Sequence, residues 1–550
     1  MSNKNSSRVS ENQHPNPSDF RQSSAADGRP DLIIDQADLP AAASKLAEHL
    51  ANSPSLFQRG STLVKLVKTD DGFSTPLLNV HDVVTYSHEV CRPVLQKIVR
   101  GEIMREPVTL PERVAKLYLN RHDAWGVRLL DGICRAPILS DGGSIRATRG
   151  YDSEMRFWCT GVELPRIPDR PTRRQAEKAL DSLRRPFATF PFADAPKTAG
   201  SGGRLTVDLS QPPGVDEASY LVAILTAICR PSLPLAPGFI IRSPQYSGAG
   251  TGKGKLIRAA ARIAFNFAPK AFTSTGDRAE LDKRLTAALV AADPVVFLDN
   301  VNAEIVRSNL LAQIATENPC AIRPFRENTK MVSITTNAFL AITGNAIAVS
   351  EDLARRFLIV GLDAGCEDPE RREFSEEFDA LIQRKRLDLL AAALTIWRWG
   401  RQNRLKQGQA LGSFEQWARW CRDPLLALGC ADPVQRISDI KRDDPRRVQV
   451  VEFFTTWHEL YGDRAIKVKE LDMRLSLLAH PHGRGSRQSL AGFVANLEGT
   501  RAGGFVMLRN KPLGKWGTSA YVLQKTDLRP NGVLIRHGEA RGRPVPTPKA

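Results

Sequence analysis

Apolar and polar positions change their period several times along the chain. From residue 217, stretches with apolar residues three and four apart alternate with short, wholly apolar runs bounded by Gly, Pro or Asp. The first kind predicts helices over Glu217–Cys229, Lys253–Phe267, Arg278–Ala291 and Ala303–Glu317. The second predicts buried strands at Gly238–Arg242, Pro294–Asp299 and Ala338–Thr343. Strands alternating with helices imply an α/β layered domain with a mainly parallel sheet over 205–366. Upstream, Leu39 to Leu50 has helical spacing and Leu56 to Val67 reads as a strand or hairpin. Short elements broken by proline and charge follow as far as Thr189-Phe-Pro-Phe-Ala-Asp194, so 31–195 reads as a mixed α/β domain. The small-residue stretch after it predicts a flexible linker over 196–204.

Beyond the layered domain, 367–445 turns helical. Over 446–525 the spacing predicts helices at 447–460, Val468–Ala479 and Ser486–Leu497. A hairpin of Gly504–Arg509 and Ala520–Gln524 follows, turning around Lys511-Pro-Leu-Gly514. Three helices and a hairpin read as a winged helix. Residues 1–30, rich in Ser, Asn, Gln, Asp and Pro, are expected to be disordered. The Pro-, Gly- and Arg-rich stretch 526–550 reads as a flexible basic tail.

At 550 residues the chain has room for about three or four domains. It lacks a run of about 18 apolar residues, so no membrane span is expected. The start, Met-Ser-Asn-Lys, does not read as a secretory signal. The eight cysteines are scattered without a Cys-x-x-Cys pair, which speaks against zinc ribbons and disulfide frameworks and for a cytoplasmic setting. His480-Pro-His482 offers two metal ligands without partners and reads as a loop. The net charge of +17 suits an anionic partner. Residues 431–550 hold 21 Lys and Arg against 12 Asp and Glu, or +9 of that excess. Within 481–520, Arg484, Arg487, Arg501, Arg509, Lys511 and Lys515 stand against one acid, Glu498. In a winged helix the third helix enters the major groove and such basic residues grip phosphate, making these six candidate DNA contacts.

The sharpest chemical signal is Ser247-Gly248-Ala249-Gly250-Thr251-Gly252-Lys253-Gly254-Lys255, between a predicted strand and a predicted helix. That context is the one a phosphate-binding P-loop requires. Glycines let successive backbone N–H groups converge on phosphate oxygens, the helix N-terminus adds positive potential, and Lys253 would reach the β- and γ-phosphates. ATP is the expected ligand. Two positions depart from the motif: Ser247 stands for its first glycine, and Gly254 stands where a Mg²⁺-ligating hydroxyl is usual. Mg²⁺ would then depend on Asp299, phosphate oxygens and water.

Asp299 ends an apolar strand 46 residues after Lys253, which places a metal carboxylate at the same sheet edge. Asn300 occupies the place of a catalytic glutamate; it orients water but accepts no proton, leaving Glu304 and Glu280 as candidate bases. Thr343-Gly344-Asn345 ends another apolar strand and suits a γ-phosphate sensor. Arg355 or Arg356, after an acidic turn, would act in trans on a neighbouring subunit's ATP. Arg323 and Arg326 are weaker candidates for that role.

The order of P-loop, Phe297-Leu-Asp-Asn300, Thr343-Gly-Asn345 and Glu351-Asp-Leu-Ala-Arg-Arg356 resembles superfamily 3 helicases of the AAA+ group. More specifically, it resembles the primase–helicase-type ATPases of phages, plasmids and integrative elements. Softer likenesses are Leu56-Phe-Gln-Arg-Gly60, Gly150-Tyr-Asp152, the Phe-Pro-Phe segment and Gly412-Ser-Phe-Glu-Gln-Trp417. The resemblance implies that Lys253 is the Walker A lysine, Asp299 the Walker B aspartate, Asn345 sensor 1, and Arg355 or Arg356 the finger. It also implies a homo-hexamer that moves along single-stranded DNA and opens forked duplex. No Asp-x-Asp pair or zinc-ligand set for a primase centre occurs upstream, so a separate primase is an expected partner. Two alternatives stay open: an ATP-switched DNA-binding initiator or regulator with slow hydrolysis, and an ATPase of a defence or signalling assembly.

Overall fold

The computed structural model describes residues 28–70, 72–99, 102–122, 124–199, 205–245, 248–273, 278–301, 305–306, 308–323, 331–349, 351–371, 377–437, 445–480, 486–510 and 519–526. The central region is a five-stranded sheet of β1 (Gly238–Ser243), β2 (Phe272–Thr273), β3 (Val295–Asp299), β4 (Phe339–Asn345) and β5 (Phe357–Gly361). Its order is β2-β3-β4-β1-β5, and every pair is parallel. All C-terminal strand ends therefore meet at one edge.

The strands read as unbroken apolar runs because both of their faces are covered. On one face Phe239, Ile241, Phe297, Ala341, Leu358 and Val360 join a core with α1 (Val215–Cys229), α2 (Lys253–Phe265) and the long α6 (Phe378–Gln402). On the other, Ile240, Val296, Leu298, Leu340, Ile342 and Ile359 pack on α3 (Arg278–Ala291) and α4 (Asn309–Thr316). A short α5 (Glu351–Ala354) precedes β5.

Most expected elements are present with small shifts. The helix expected to reach Phe267 stops at Phe265, because Asn266 turns left-handed (φ 58°) and its N–H bonds Arg262 O. The helix expected over Ala303–Glu317 is only Asn309–Thr316. Ser308 caps it by accepting from the Leu311 N–H, and the β-branched pair Ile305–Val306 forms a parallel bridge with Ala348–Val349 instead. Within the expected linker, Lys197–Ala199 pairs antiparallel with Leu205–Val207, whose Val207 is buried. Small-residue composition did not signal this pairing, and residues 200–204 between the two strands lie outside the described residues.

One core runs through these boundaries. Leu180, Leu183, Phe187, Phe190 and Phe192 share it with α1 and α2, and Trp397, Trp417, Trp420 and Leu425 extend it beyond residue 367. The Phe-Pro-Phe segment is thus part of the central packing, and Asp194 accepts from the Val215 and Asp216 N–H groups at the start of α1.

Upstream, Asp31–Ile34 pairs parallel with Arg92–Val99, which pairs antiparallel with Glu102–Pro107. The helices Leu39–Leu50, Val80–Val90 and Glu112–Leu119 pack beside this sheet. Leu56–Arg59 and Thr62–Lys65 make the expected hairpin. Arg59 on it is buried, and its guanidinium donates to Leu289 O and Val290 O (both 2.8 Å) and Thr335 O (3.0 Å). Three carbonyls satisfy a charge taken out of water, and that requirement sets where the hairpin docks on the central region.

At the C-terminal end, α7 (Pro445–Tyr461), α8 (Met473–Ala479) and α9 (Arg487–Asn496) surround a core of Phe453, Trp457, Leu475, Val494, Met507 and Leu523. The hairpin belongs to a four-stranded antiparallel sheet of β6 (Ile466–Lys467), β9 (Ala520–Lys525), β8 (Phe505–Asn510) and β7 (Arg501–Ala502), in that order. Among the described residues no helix is long and apolar enough to cross a membrane.

Candidate active site

The register of the parallel sheet brings the motif residues together. Ser243 at the end of β1 lies opposite Asn345 at the end of β4, and the neighbouring β3 ends in Asp299. Between β1 and α2 the chain makes the glycine-rich loop, of which Ser247 lies outside the described residues. Gly250 (φ 70°) and Gly252 (φ 93°) occupy left-handed conformations that a side chain disfavours. A Cβ on Gly248 would lie 2.3 Å from Pro244 O and 2.6 Å from Asn345 Oδ1, so only glycine lets the loop approach β4 this closely.

Lys253, the first residue of α2, folds back into the loop. Its ammonium donates to Gly248 O (2.6 Å), Ser243 Oγ (2.7 Å), Asn345 Oδ1 (2.7 Å) and, more weakly, Thr251 Oγ1 (3.2 Å). An ammonium has three protons for these four oxygens, so they share it. Burial pulls the ammonium down to about 8, opposed by the negative charge of Asp299. No side chain caps the N-terminus of α2, leaving its first-turn N–H groups and dipole for an anion. Tyr220 of α1 fixes that helix from below, its hydroxyl donating to Leu256 O at 2.9 Å.

Asp299 is held from two sides. The Thr343 hydroxyl donates to Oδ1, and Arg258, on α2, places Nη2 at 3.4 Å from Oδ2. Asn300 follows in a left-handed conformation (φ 65°), exposed at the strand's end. Magnesium finds a poor fit among these residues. Gly254 supplies no hydroxyl, both oxygens of Asp299 are engaged by the chain itself, and no group of three His, Cys, Asp or Glu gathers anywhere among the described residues.

A cavity of about 520 Å³ adjoins the loop, lined by Gly250, Thr251, Gly252 and Lys255 and by residues far away in sequence: Phe190, Glu370, Glu377 and Phe378. Phe190 and Phe378 meet edge to face, with centroids 4.9 Å apart. Sequence reasoning missed these four, and it missed Ser243 and Arg258. The Phe-Pro-Phe segment was visible, but no local signal tied it to the loop.

The other anticipated residues separate. Arg356 donates to Ala312 O and to Thr316 Oγ1 (2.6 Å), fastening β5 to α4. Arg355 is exposed. Glu280 pairs with Arg284 (3.2 Å) along α3. Arg323 is exposed beside a second cavity with Ser74 and Pro76; Glu304 and Arg326 lie outside the described residues. Of the basic C-terminal set, Arg501 on β7 and Arg509 on β8 are exposed. Arg509 donates to Ser519 Oγ (2.9 Å) and lies 3.6 Å from Glu498. Arg484, Lys511, Lys515, His482 and the Arg487 side chain lie outside the described residues.

The sequence matches no protein-family profile, and no curated protein matches it. Among solved structures, one of the apo NrS-1 C-terminal region covers 87% of this chain and 99% of its own, at 13% identity and a TM-score of 0.36. Another of that region covers 87% and 98%, at 14% identity and 0.33. A JCV helicase with a bound thiazolopyridine compound covers 50% and 74%, at 13% identity and 0.20. At these values the likenesses are loose.

Proposed function

We propose that this chain is an ATPase, built on a P-loop core, that works as a helicase-like motor on DNA in the replication of a mobile element. The observation that carries this reading is the convergence of Lys253, Asn345 and Asp299 on the uncapped start of α2, at the edge where parallel strands end. ATP phosphates would replace the loop oxygens now around Lys253, with the helix N-terminus completing the cradle. The base would enter the cavity between Phe190 and Phe378, near Glu370 and Glu377. Asn345 would orient the γ-phosphate, and Arg355 of an adjoining subunit in a homo-hexamer would neutralise charge spreading in phosphoryl transfer to water. The C-terminal region would act as a winged helix holding DNA, beside a separate primase in the cytoplasm.

ATP turnover with and without single-stranded DNA, together with strand displacement on a forked duplex, tests this function. Lys253→Ala should abolish turnover; full hydrolysis in that variant would overturn the site.

A second reading, an ATP-switched initiator with slow hydrolysis, is favoured by Asn300, which stands beside Asp299 and accepts no proton. Nucleotide-dependent DNA binding without DNA-stimulated turnover or strand displacement would select it.

A further inference from the structure

Gly254 is the motif's plainest departure, and the structure shows what occupies the room it leaves. A Cβ on Gly254 would lie 2.7 Å from Arg258 Nη1 and 3.5 Å from Asp299 Oδ2. Residues 254 and 258 are one helical turn apart, so the arginine leans over the glycine on the same face of α2. Its guanidinium lies beside both that glycine and Asp299, with Nη2 3.4 Å from Oδ2. Its Cζ lies 5.4 Å from the centroid of the Phe297 ring on β3, which supports the planar group from beneath. The second oxygen of Asp299 is engaged by Thr343.

We propose that Arg258 is a tethered cation seated where a divalent metal would otherwise bridge Asp299 and the phosphates, so that triphosphate binding at this loop does not require divalent metal. The inference rests on the nucleotide reading of the loop. A guanidinium presents several N–H donors in one plane, enough to keep Asp299 on one edge and take a phosphate oxygen on another. With Lys253 it sets two fixed positive charges within the first two turns of α2. A hydroxyl at position 254 and this guanidinium compete for one space, which accounts for glycine and arginine occurring together. The same charge holds the Asp299 carboxylate in place before any nucleotide arrives.

The test measures Kd for a fluorescent, slowly hydrolysed ATP analogue, in Mg²⁺ and in excess EDTA, with melting curves confirming that each variant is folded. Wild type should differ less than about threefold between the two buffers, whereas Arg258→Ala should lose about tenfold or more in EDTA and recover in Mg²⁺. Gly254→Ser, which keeps the arginine but displaces its guanidinium and adds a hydroxyl, should become metal-dependent in the same way; it decides the matter should Arg258→Ala not fold. Loss of wild-type binding in EDTA, or metal-independent binding by the variants, overturns the proposal. Lys253→Ala separates the two levels of inference. If it removes binding in both buffers while wild type proves metal-dependent, the role of Arg258 falls and the nucleotide site stands. If it binds like wild type, or wild type binds no nucleotide in either buffer, both fall.

Discussion

Asn345 Oδ1 accepts from Lys253 Nζ at 2.7 Å, although the two residues lie 92 positions apart. The contact exists because β4 runs on to Asn345, in register with Ser243 at the end of β1. On the proposed nucleotide reading, a triphosphate that drew Lys253 onto its phosphates would free the Asn345 amide to turn towards the γ-phosphate. Asn345→Ala should therefore lower kcat about ten- to a hundredfold while changing nucleotide Kd only a few-fold. Single-turnover hydrolysis beside equilibrium binding measures the split; equal losses in both would show that Asn345 serves binding alone.

If the loop receives anions, the buried Lys253 ammonium should set the pH range in which it does so. Its folded value, about 8, lies below the ordinary lysine value of 10.5, with burial the largest cause. Between those values the unfolded chain binds more protons than the folded one. Stability therefore rises with pH across that window, and below it the buried charge is a cost. Nucleotide binding, on the proposed reading, would run the other way because it would need the ammonium. Affinity should be level below pH 8 and fall above it, by at most about tenfold per unit. Anisotropy titrations across that range should show the loss in wild type, and Lys253→Met should bind weakly with no such dependence.

Arg355 and Arg356 are adjacent in sequence but differ in exposure. Arg356 donates to α4 through Ala312 O and Thr316 Oγ1, so Arg356→Ala should lower stability by about 1–3 kcal/mol in denaturant titrations. Arg355 is exposed, so Arg355→Ala should cost less stability than Arg356→Ala and should lose turnover if the arginine takes part in hydrolysis. Mixing Arg355→Ala with Lys253→Ala should restore part of the activity if the arginine acts across subunits. Undiminished turnover in Arg355→Ala alone would remove it from the mechanism.

Three strands of the parallel sheet, β1, β3 and β4, were legible because each is a short apolar run closed by a polar residue; the two-residue β2 and β5, which ends in Gly361, were not. Once strand direction is known, Ser243, Asp299 and Asn345 must share an edge. Arg258 was not legible, since a polar residue on an amphipathic helix reads as a solvated face, and only the missing Cβ at Gly254 gives it a place. Phe190, Glu370, Glu377 and Phe378 were hidden for another reason. They reach the loop through packing of the 173–195 segment and α6 against the same core, and periodicity reports which face is buried without naming the partner. Composition gave no sign that Lys197–Ala199 would pair with Leu205–Val207, because the buried residue that anchors the pair, Val207, lies beyond the run of small residues.

Asp216 is buried at the start of α1, accepting from the Gly361 N–H (2.7 Å) and from Arg436 (2.6 Å), with Asp194 on the same arginine at 3.4 Å. Burial, with Asp194 beside it, lifts the Asp216 carboxyl to about 6. From the ordinary 3.8 up to 6 the folded chain binds more protons than the unfolded one, so this group's contribution to stability falls as pH rises through that window. Arg436→Ala would leave two carboxylates without their cation. It should cost about 2–3 kcal/mol at pH 7, and less at pH 5, where Asp216 takes up a proton. Urea titrations at both pH values measure this, and an equal cost at each would show that Arg436 acts by packing.

The C-terminal sheet offers a test of DNA contact that is independent of the ATP site. Arg501 and Arg509 are exposed on β7 and β8, and Glu498 lies 3.6 Å from Arg509. If these side chains meet phosphates, each change to Ala should weaken binding about three- to tenfold on any sequence and reduce the salt slope by roughly one. Glu498→Gln should do the reverse, because it removes the negative charge that shields Arg509. Salt-dependent titrations of single-stranded and forked DNA read all three variants. An unchanged slope in both arginine variants would move the DNA surface elsewhere.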